Sequence, residues 1–186
     1  RATEIQTEAN VDVMRVRRLP VSDLDGWITS GADWEATQEG TNRVLATTGG
    51  RISEATLSKT PPTLFRFSVD IELEDLEKRT LPGITFGGGP SGNRMFVMLG
   101  TSGNFGFLEF DDEIGEMSLN RDLFKRGPRA EDGKVTMSIE VGPIETRFFA
   151  GDKELGSIEL PPSTFAGQVG LFCAGPTRFV NPRLAY

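Results

Sequence analysis

Histidine is missing altogether from the 186 residues, and cysteine occurs once, at Cys173. Without an imidazole, Ser-His-Asp and Cys-His catalysis are excluded, as are histidine-ligated metals. One thiol allows neither an intrachain disulfide nor a multi-thiolate zinc site. Cys173 falls in the apolar run Val169-Gly170-Leu171-Phe172-Cys173 and reads as a small buried hydrophobe, not a reactive thiol. Acid-base work is thereby left to carboxylates, lysine amines and Tyr186. Two tryptophans and one tyrosine make a poor aromatic platform for a dedicated lectin. Apolar runs extend only a few residues, far short of the ~20 that span a bilayer. Basic charge is in deficit too: 27 acidic residues oppose 20 basic ones, a net charge of −7. Nucleic acid is therefore not an expected partner, since its binding leans on a positive field. The small clusters Arg15/Arg17/Arg18 and Lys125/Arg126/Arg129 read as solvated edge or loop charge. With Arg1 rather than Met at its start, the chain is expected to be a processed or excised piece of a larger one.

What is present is a rhythm of short strands punctuated by turns. Val135, Met137, Ile139 and Val141 alternate with Thr136, Ser138 and Glu140, which gives period two and one apolar face. Gly142-Pro143 breaks this strand, Ile144–Ala150 returns, and Gly151-Asp152 turns again into Leu155–Leu160 before Pro161-Pro162. The clearest strand is Phe65, Phe67, Val69, Ile71 and Leu73, with Arg66, Ser68, Asp70, Glu72 and Glu74 on its other, wet face. Trp34–Ala36, Arg43–Ala46, Ile52–Leu57, Gly83–Gly87, Arg94–Leu99 and Asn104–Phe110 continue the pattern. Only Arg121–Arg126 has the composition of a helical turn. Residues 1–20 are expected to be a tail, edge strand or linker, and residues 21–186 one all-β domain. Strands at this spacing imply a two-sheet antiparallel sandwich of jelly-roll type or a barrel.

Several short motifs recur in order: Leu24-Asp25-Gly26-Trp27; Trp34-Glu35-Ala36 closed by Gly40; Gly83-Ile84-Thr85-Phe86; Gly167-Gln168-Val169-Gly170-Leu171; and Phe179-Val180-Asn181-Pro182-Arg183-Leu184. Together they resemble a concanavalin A-like jelly roll of the lectin/glucanase kind. More narrowly, they resemble the 3-keto-disaccharide hydrolase-like domain family. Gly151-Asp152 stands where that family has an Asn-Gly hairpin, and its histidine is absent. The resemblance implies a sugar-related function in a periplasmic, cell-surface or secreted setting, often as a module of a larger protein.

Candidate sites follow from the polar residues. Glu72 and Glu74 leave the same face of a strand, with Cα atoms roughly 6–7 Å apart. That suits a retaining glycosidase, which needs carboxyls about 5–5.5 Å apart. Glu72-Leu73-Glu74-Asp75-Leu76-Glu77 also resembles the E-x-D-x-x-E signature of jelly-roll β-glucanases, without its central Asp. A solvated outer face explains the same charges. A ligand groove is expected on the concave sheet, lined by Arg66, Asp70, Glu72 and Glu74 with Arg94. The glycine loop Gly87–Asn93 lacks the Lys-Ser/Thr of a phosphate-binding loop and reads as a hairpin whose Asn93 lines that groove. Asp111, Asp112 and Glu113 offer hard oxygen ligands for calcium, or a plain acidic hairpin tip. No other cofactor is expected. Trp27 and Trp34 are the available sugar-stacking rings, though their places beside turns favour core packing. The chain is expected to be a non-catalytic carbohydrate-binding or protein-interaction module. A glycoside hydrolase using Glu72 and Glu74 is the alternative, and a structural or assembly domain is the third.

Overall fold

The structure, a computed structural model, describes residues 16–18, 24–31, 33–48, 52–73, 80–89, 92–111, 116–159 and 168–186. These form fifteen strands: β1 (Val16–Arg18), β2 (Trp27–Ser30), β3 (Trp34–Glu39), β4 (Asn42–Thr47), β5 (Ile52–Leu57), β6 (Phe65–Glu72), β7 (Gly83–Gly89) and β8 (Gly92–Met98), then β9 (Asn104–Asp111), β10 (Glu116–Arg126), β11 (Lys134–Val141), β12 (Thr146–Ala150), β13 (Lys153–Ile158), β14 (Gln168–Ala174) and β15 (Thr177–Ala185). No described residue is helical. One sheet runs β13-β12-β11-β6-β15-β4-β3, with β1 joined to β15, and the other runs β10-β9-β8-β7-β14-β5-β2. All their pairings are antiparallel. The expected two-sheet sandwich is what forms.

Alternation dictates which side chains fill the space between the sheets. Phe65, Phe67, Val69 and Ile71 of β6 are each fully buried, and β11 matches them with Val135, Met137, Ile139 and Val141. From the opposite sheet come Ile84, Phe86, Phe96, Met98, Phe105 and Phe107. Phe148 of β12 reaches across to this second set, its ring 4.3 Å from Phe107 and edge-on to it. Edge-to-face geometry suits the ring quadrupoles, so the sheets are locked by shape as well as by area. Trp34 stacks on Phe179, and both tryptophans are buried, so neither offers a free ring face.

Two features depart from simple alternation. Arg121–Arg126, expected as a helical turn, lies within strand β10, whose pairing with β9 shifts register between Asn120 and Lys125. Pairing with β9 on both sides of the shift, at Asn120 and again at Lys125 and Arg126, holds the segment in the sheet against local helical preference. On β15 the ladder to β6 slips between Val180 and Arg183. Asn181 sits there at φ 50, accepts the Arg43 backbone N–H at 3.0 Å and donates to Asn42 Oδ1. This short polar side chain tolerates the left-handed conformation and clips the bulge to β4. Leu184 thereby enters the core, while Arg183 pairs opposite Ser68 on the wet face.

One polar group in the core lacks a partner. Thr146 is fully buried, and its hydroxyl has no hydrogen bond among the described residues. Valine is nearly isosteric and removes an unsatisfied group whose burial costs about 1–3 kcal/mol. Thr146→Val is expected to raise Tm by about 2–4 °C for a gain near 1 kcal/mol. A lower Tm in differential scanning calorimetry would show that the hydroxyl is satisfied in solution.

Candidate functional site

The two outer faces of the sandwich differ in character. On the seven-stranded sheet, Met95, Val97, Leu108 and Phe172 form a second apolar cluster and are almost completely buried. On the eight-stranded sheet, the outward residues Arg66, Ser68, Asp70 and Glu72 of β6, Thr136 and Glu140 of β11, and Arg178 and Arg183 of β15 are polar and half-buried, with buried Ser138, Val180 and Ala185 between them. Among the described residues, the second face gathers charged and hydroxyl side chains along three neighbouring strands, whereas the first has the smaller Thr85–Glu54 pair beside its apolar cluster.

Its centre is a groove of about 510 Å³ lined by Arg66, Ser68, Thr136, Ser138, Gly151, Asp152, Arg183 and Ala185. The depression has a simple origin. Ser68 pairs opposite Ser138 on one side and Arg183 on the other, and Ala185 pairs opposite Arg66. Small side chains thus pave the floor while two long arginines rise beside it. The β15 bulge is what brings Arg183 and Ala185 to this face, because unbroken alternation from outward Arg178 would turn them toward the core.

The charges are organised in a chain. Arg66 Nη2 donates to Ser138 Oγ at 3.1 Å, its Cζ lies 4.8 Å from the Phe149 ring centroid, and its Nη1 is 3.8 Å from Glu140. Thr136 Oγ1 and Arg183 Nη2 both donate to Asp70 Oδ1, at 2.7 and 3.0 Å. Glu72 has both oxygens engaged, Oε1 by Lys134 at 2.9 Å and Oε2 by Arg178 at 3.4 Å. Arg178 also holds Glu39 at 2.7 Å. That hydrogen bond keeps the Glu39 carboxyl below its ordinary range and pushes the Arg178 guanidinium up.

The expected site residues are therefore partly assembled. Arg66, Asp70 and Glu72 share the wet face of β6, as their spacing requires. Arg94 does not join them. It lies on β8 in the opposite sheet and pairs with Glu109 at 3.5 Å. Its parity is that of core residues Phe96 and Met98, which places it at the end of the inter-sheet layer. Asn93 and Asp111 are placed by backbone pairing alone, opposite Gly87 and Glu116. Glu74, Asp112 and Glu113 lie outside the described residues, among which no group of three or more potential metal ligands occurs. Thr136, Ser138, Arg183 and Phe149 were not anticipated as site residues. The alternation of β11 exposes Thr136 and Ser138 as outward-facing, whereas only the bulge reveals Arg183.

A second depression, of about 480 Å³, opens at the end of the sandwich between Trp27, Leu57, Pro61, Leu184 and Tyr186. Trp27 contributes little more than an edge to it, being 8% exposed. Asp25, Ser58, Lys59 and Thr60 line it as well, so it is of mixed polarity, and it lies at the end of the sandwich rather than on a sheet face.

No family model matches the chain, and no curated protein matches it in sequence. Solved structures match its shape. The carbohydrate-binding module CBM66 from Bacillus subtilis superposes with a TM-score of 0.65 at 18% identity, covering 84% of this chain and 92% of its own. The Bacteroides ovatus mixed linkage glucan GH16 protein gives a TM-score of 0.62 at 8% identity, over 92% of this chain and 99% of its own. A β-1,3-glucanase from Mycobacterium marinum gives 0.57 at 13% identity, over 89% and 93%. At these identities the likeness is one of fold. The chain is a concanavalin A-like jelly-roll sandwich.

Proposed function

We propose that this domain is a non-catalytic carbohydrate-binding module whose site is the groove on the eight-stranded sheet. The observation that carries the reading is the groove itself: two guanidinium groups and the Thr136 hydroxyl flank a floor of small side chains that includes the Ser68 hydroxyl, on the open face of the sheet. Sugar hydroxyls both donate and accept, and groups of this kind answer them in both senses. The fold is shared with proteins that bind or cleave glycans, which supports a sugar-related role but does not separate binding from cleavage.

Hydrolysis is the second reading, and the geometry gives it less support. Both oxygens of Glu72 are already paired with cations, Lys134 and Arg178, and so are engaged in the sheet's own charge network. Asp70 is likewise tied to Arg183 and Thr136. A periplasmic, cell-surface or secreted setting fits a glycan ligand, and calcium at Asp111–Glu113 remains part of the proposal as an optional addition.

A glycan array run with and without calcium tests this directly, using the wild type and Ser68→Leu, which fills the groove floor from the solvent side. Binding by the wild type and a loss of at least tenfold in the variant are expected. Binding unchanged by Ser68→Leu would move the site elsewhere, and release of reducing ends from a bound glycan would establish the hydrolase.

A further inference from the structure

We propose that the groove takes an acidic saccharide, with the carboxylate or sulfate of the sugar seated on the Arg66 guanidinium. The inference rests on the groove being a glycan site and deepens that reading by naming the ligand class.

The argument begins with how the cations of this face are spent. Arg178 is charge-paired twice, with Glu39 at 2.7 Å and Glu72 at 3.4 Å. Arg183 gives Nη2 to Asp70 at 3.0 Å. Arg66 is different. Its one hydrogen bond among the described residues goes to the neutral Ser138 hydroxyl, and its nearest carboxylate, Glu140, stands 3.8 Å away, beyond hydrogen-bond reach. Its planar fork therefore keeps free N–H groups while remaining fixed in place. The Phe149 ring beneath it and the Ser138 hydroxyl beside it hold the orientation. A positioned guanidinium with open donors is what bidentate recognition of a planar carboxylate or a sulfate requires.

The groove is also polar along its length. Glu140 and Arg66 pair at one end of the β11–β6 ladder, Ser138 and Ser68 in the middle, and Thr136 and Asp70 at the other end. Gly151 donates its backbone N–H to the Thr136 carbonyl, which puts the exposed Asp152 at the Thr136 end, away from Arg66. An acidic sugar is thus oriented: the anion goes to Arg66, and hydroxyls meet Asp152 and Thr136. Arg183 stands diagonally across Ser68 from Arg66, about 7–8 Å away between Cα atoms, with its charge already paired to Asp70, so the anion is left to Arg66. The chain as a whole carries −7, so indiscriminate attraction of polyanions does not account for a preference of this kind.

The test is an array of uronate-bearing, sulfated and neutral oligosaccharides, with the uronates also presented as methyl esters. It is probed with the wild type, Arg66→Gln and Arg147→Gln, a cation on the same sheet that pairs with Glu145 outside the groove. Circular dichroism confirms that each variant is folded. Acidic glycans are expected to bind at least tenfold tighter than the esters or neutral sugars. Arg66→Gln should erase that preference, and Arg147→Gln should keep it. Preference confined to uronates or to sulfated sugars identifies the anion and sustains the proposal either way. Equal binding of neutral and acidic glycans, or an acid preference that survives Arg66→Gln, overturns it while leaving the glycan site standing. Absence of binding to every glycan overturns both.

Discussion

Gly170→Ala is expected to destabilise the domain by about 3 kcal/mol or more, the upper range for forcing extra atoms into a packed interior. Gly170 lies in β14, opposite Thr56 of β5 on one side and Thr85 of β7 on the other. A Cβ built there falls against the Ala55 carbonyl oxygen and 2.5 Å from the Thr56 Cα. Both obstacles are backbone, so no rotamer change relieves them, and relief requires β5 and β14 to separate. These strands are neighbours inside the β2 edge of the sheet, where separation also opens the core around Ala55 and Leu171. Gly40→Ala provides the contrast. A Cβ there meets nothing within 4 Å, but the residue has φ +62, so the cost is backbone strain alone, about 1–2 kcal/mol. Urea unfolding of the two variants should rank Gly170→Ala well below Gly40→Ala. A Gly170→Ala stability within about 0.5 kcal/mol of wild type, the range of a neutral surface change, would mean that the close approach of β5 and β14 does not exist in solution.

That glycine also shows what a motif can and cannot reveal. Gly167-Gln168-Val169-Gly170-Leu171 was visible as a pattern, but its reason, the backbone of β5 close beside Gly170, lies more than a hundred residues away in the chain. Local alternation was legible wherever one face is dry and the other wet, and so β6, β11 and the shared face of Arg66, Asp70 and Glu72 could be anticipated. Arg94 was misplaced for a related reason. Period two tells which residues of one strand share a side, but not which sheet the strand joins or which side is inward. The Asn181 bulge hid Arg183, because a register slip reverses parity for everything beyond it. Arg121–Arg126 was misjudged because its extended form depends on the β9 pairings that flank the register shift, at Asn120 and at Lys125–Arg126, and not on its own composition. The site was thus half legible: its β6 wall belongs to a regular strand, and its β15 wall to an exception.

Alkaline conditions should destabilise the domain through its single thiol. Cys173 is fully buried in the core, and burial pushes its thiol from the ordinary 9.0 to about 12, with a hydrogen bond involving Thr177 pulling slightly back. The sign follows from which state ionises first. Below pH 9 the thiol is protonated in both states, and the shift has no effect on stability. Between pH 9 and 12 the unfolded chain loses the proton while the folded one keeps it, so the unfolded state binds fewer protons and stability falls as pH rises. The loss amounts to about 2 kcal/mol at pH 10.5 and on the order of 4 kcal/mol near pH 12. Cys173→Ala removes the titrating group. Its own cost in lost packing is independent of pH, so it lowers stability at pH 8 yet narrows the gap to wild type as pH rises. Urea unfolding of both proteins at pH 8, 9.5 and 10.5 isolates the thiol, because every other side chain is common to the two. A constant difference across that range would show that Cys173 ionises as readily folded as unfolded, and so that the core opens to water at this position. The same burial predicts that thiol reagents label Cys173 only once denaturant is added.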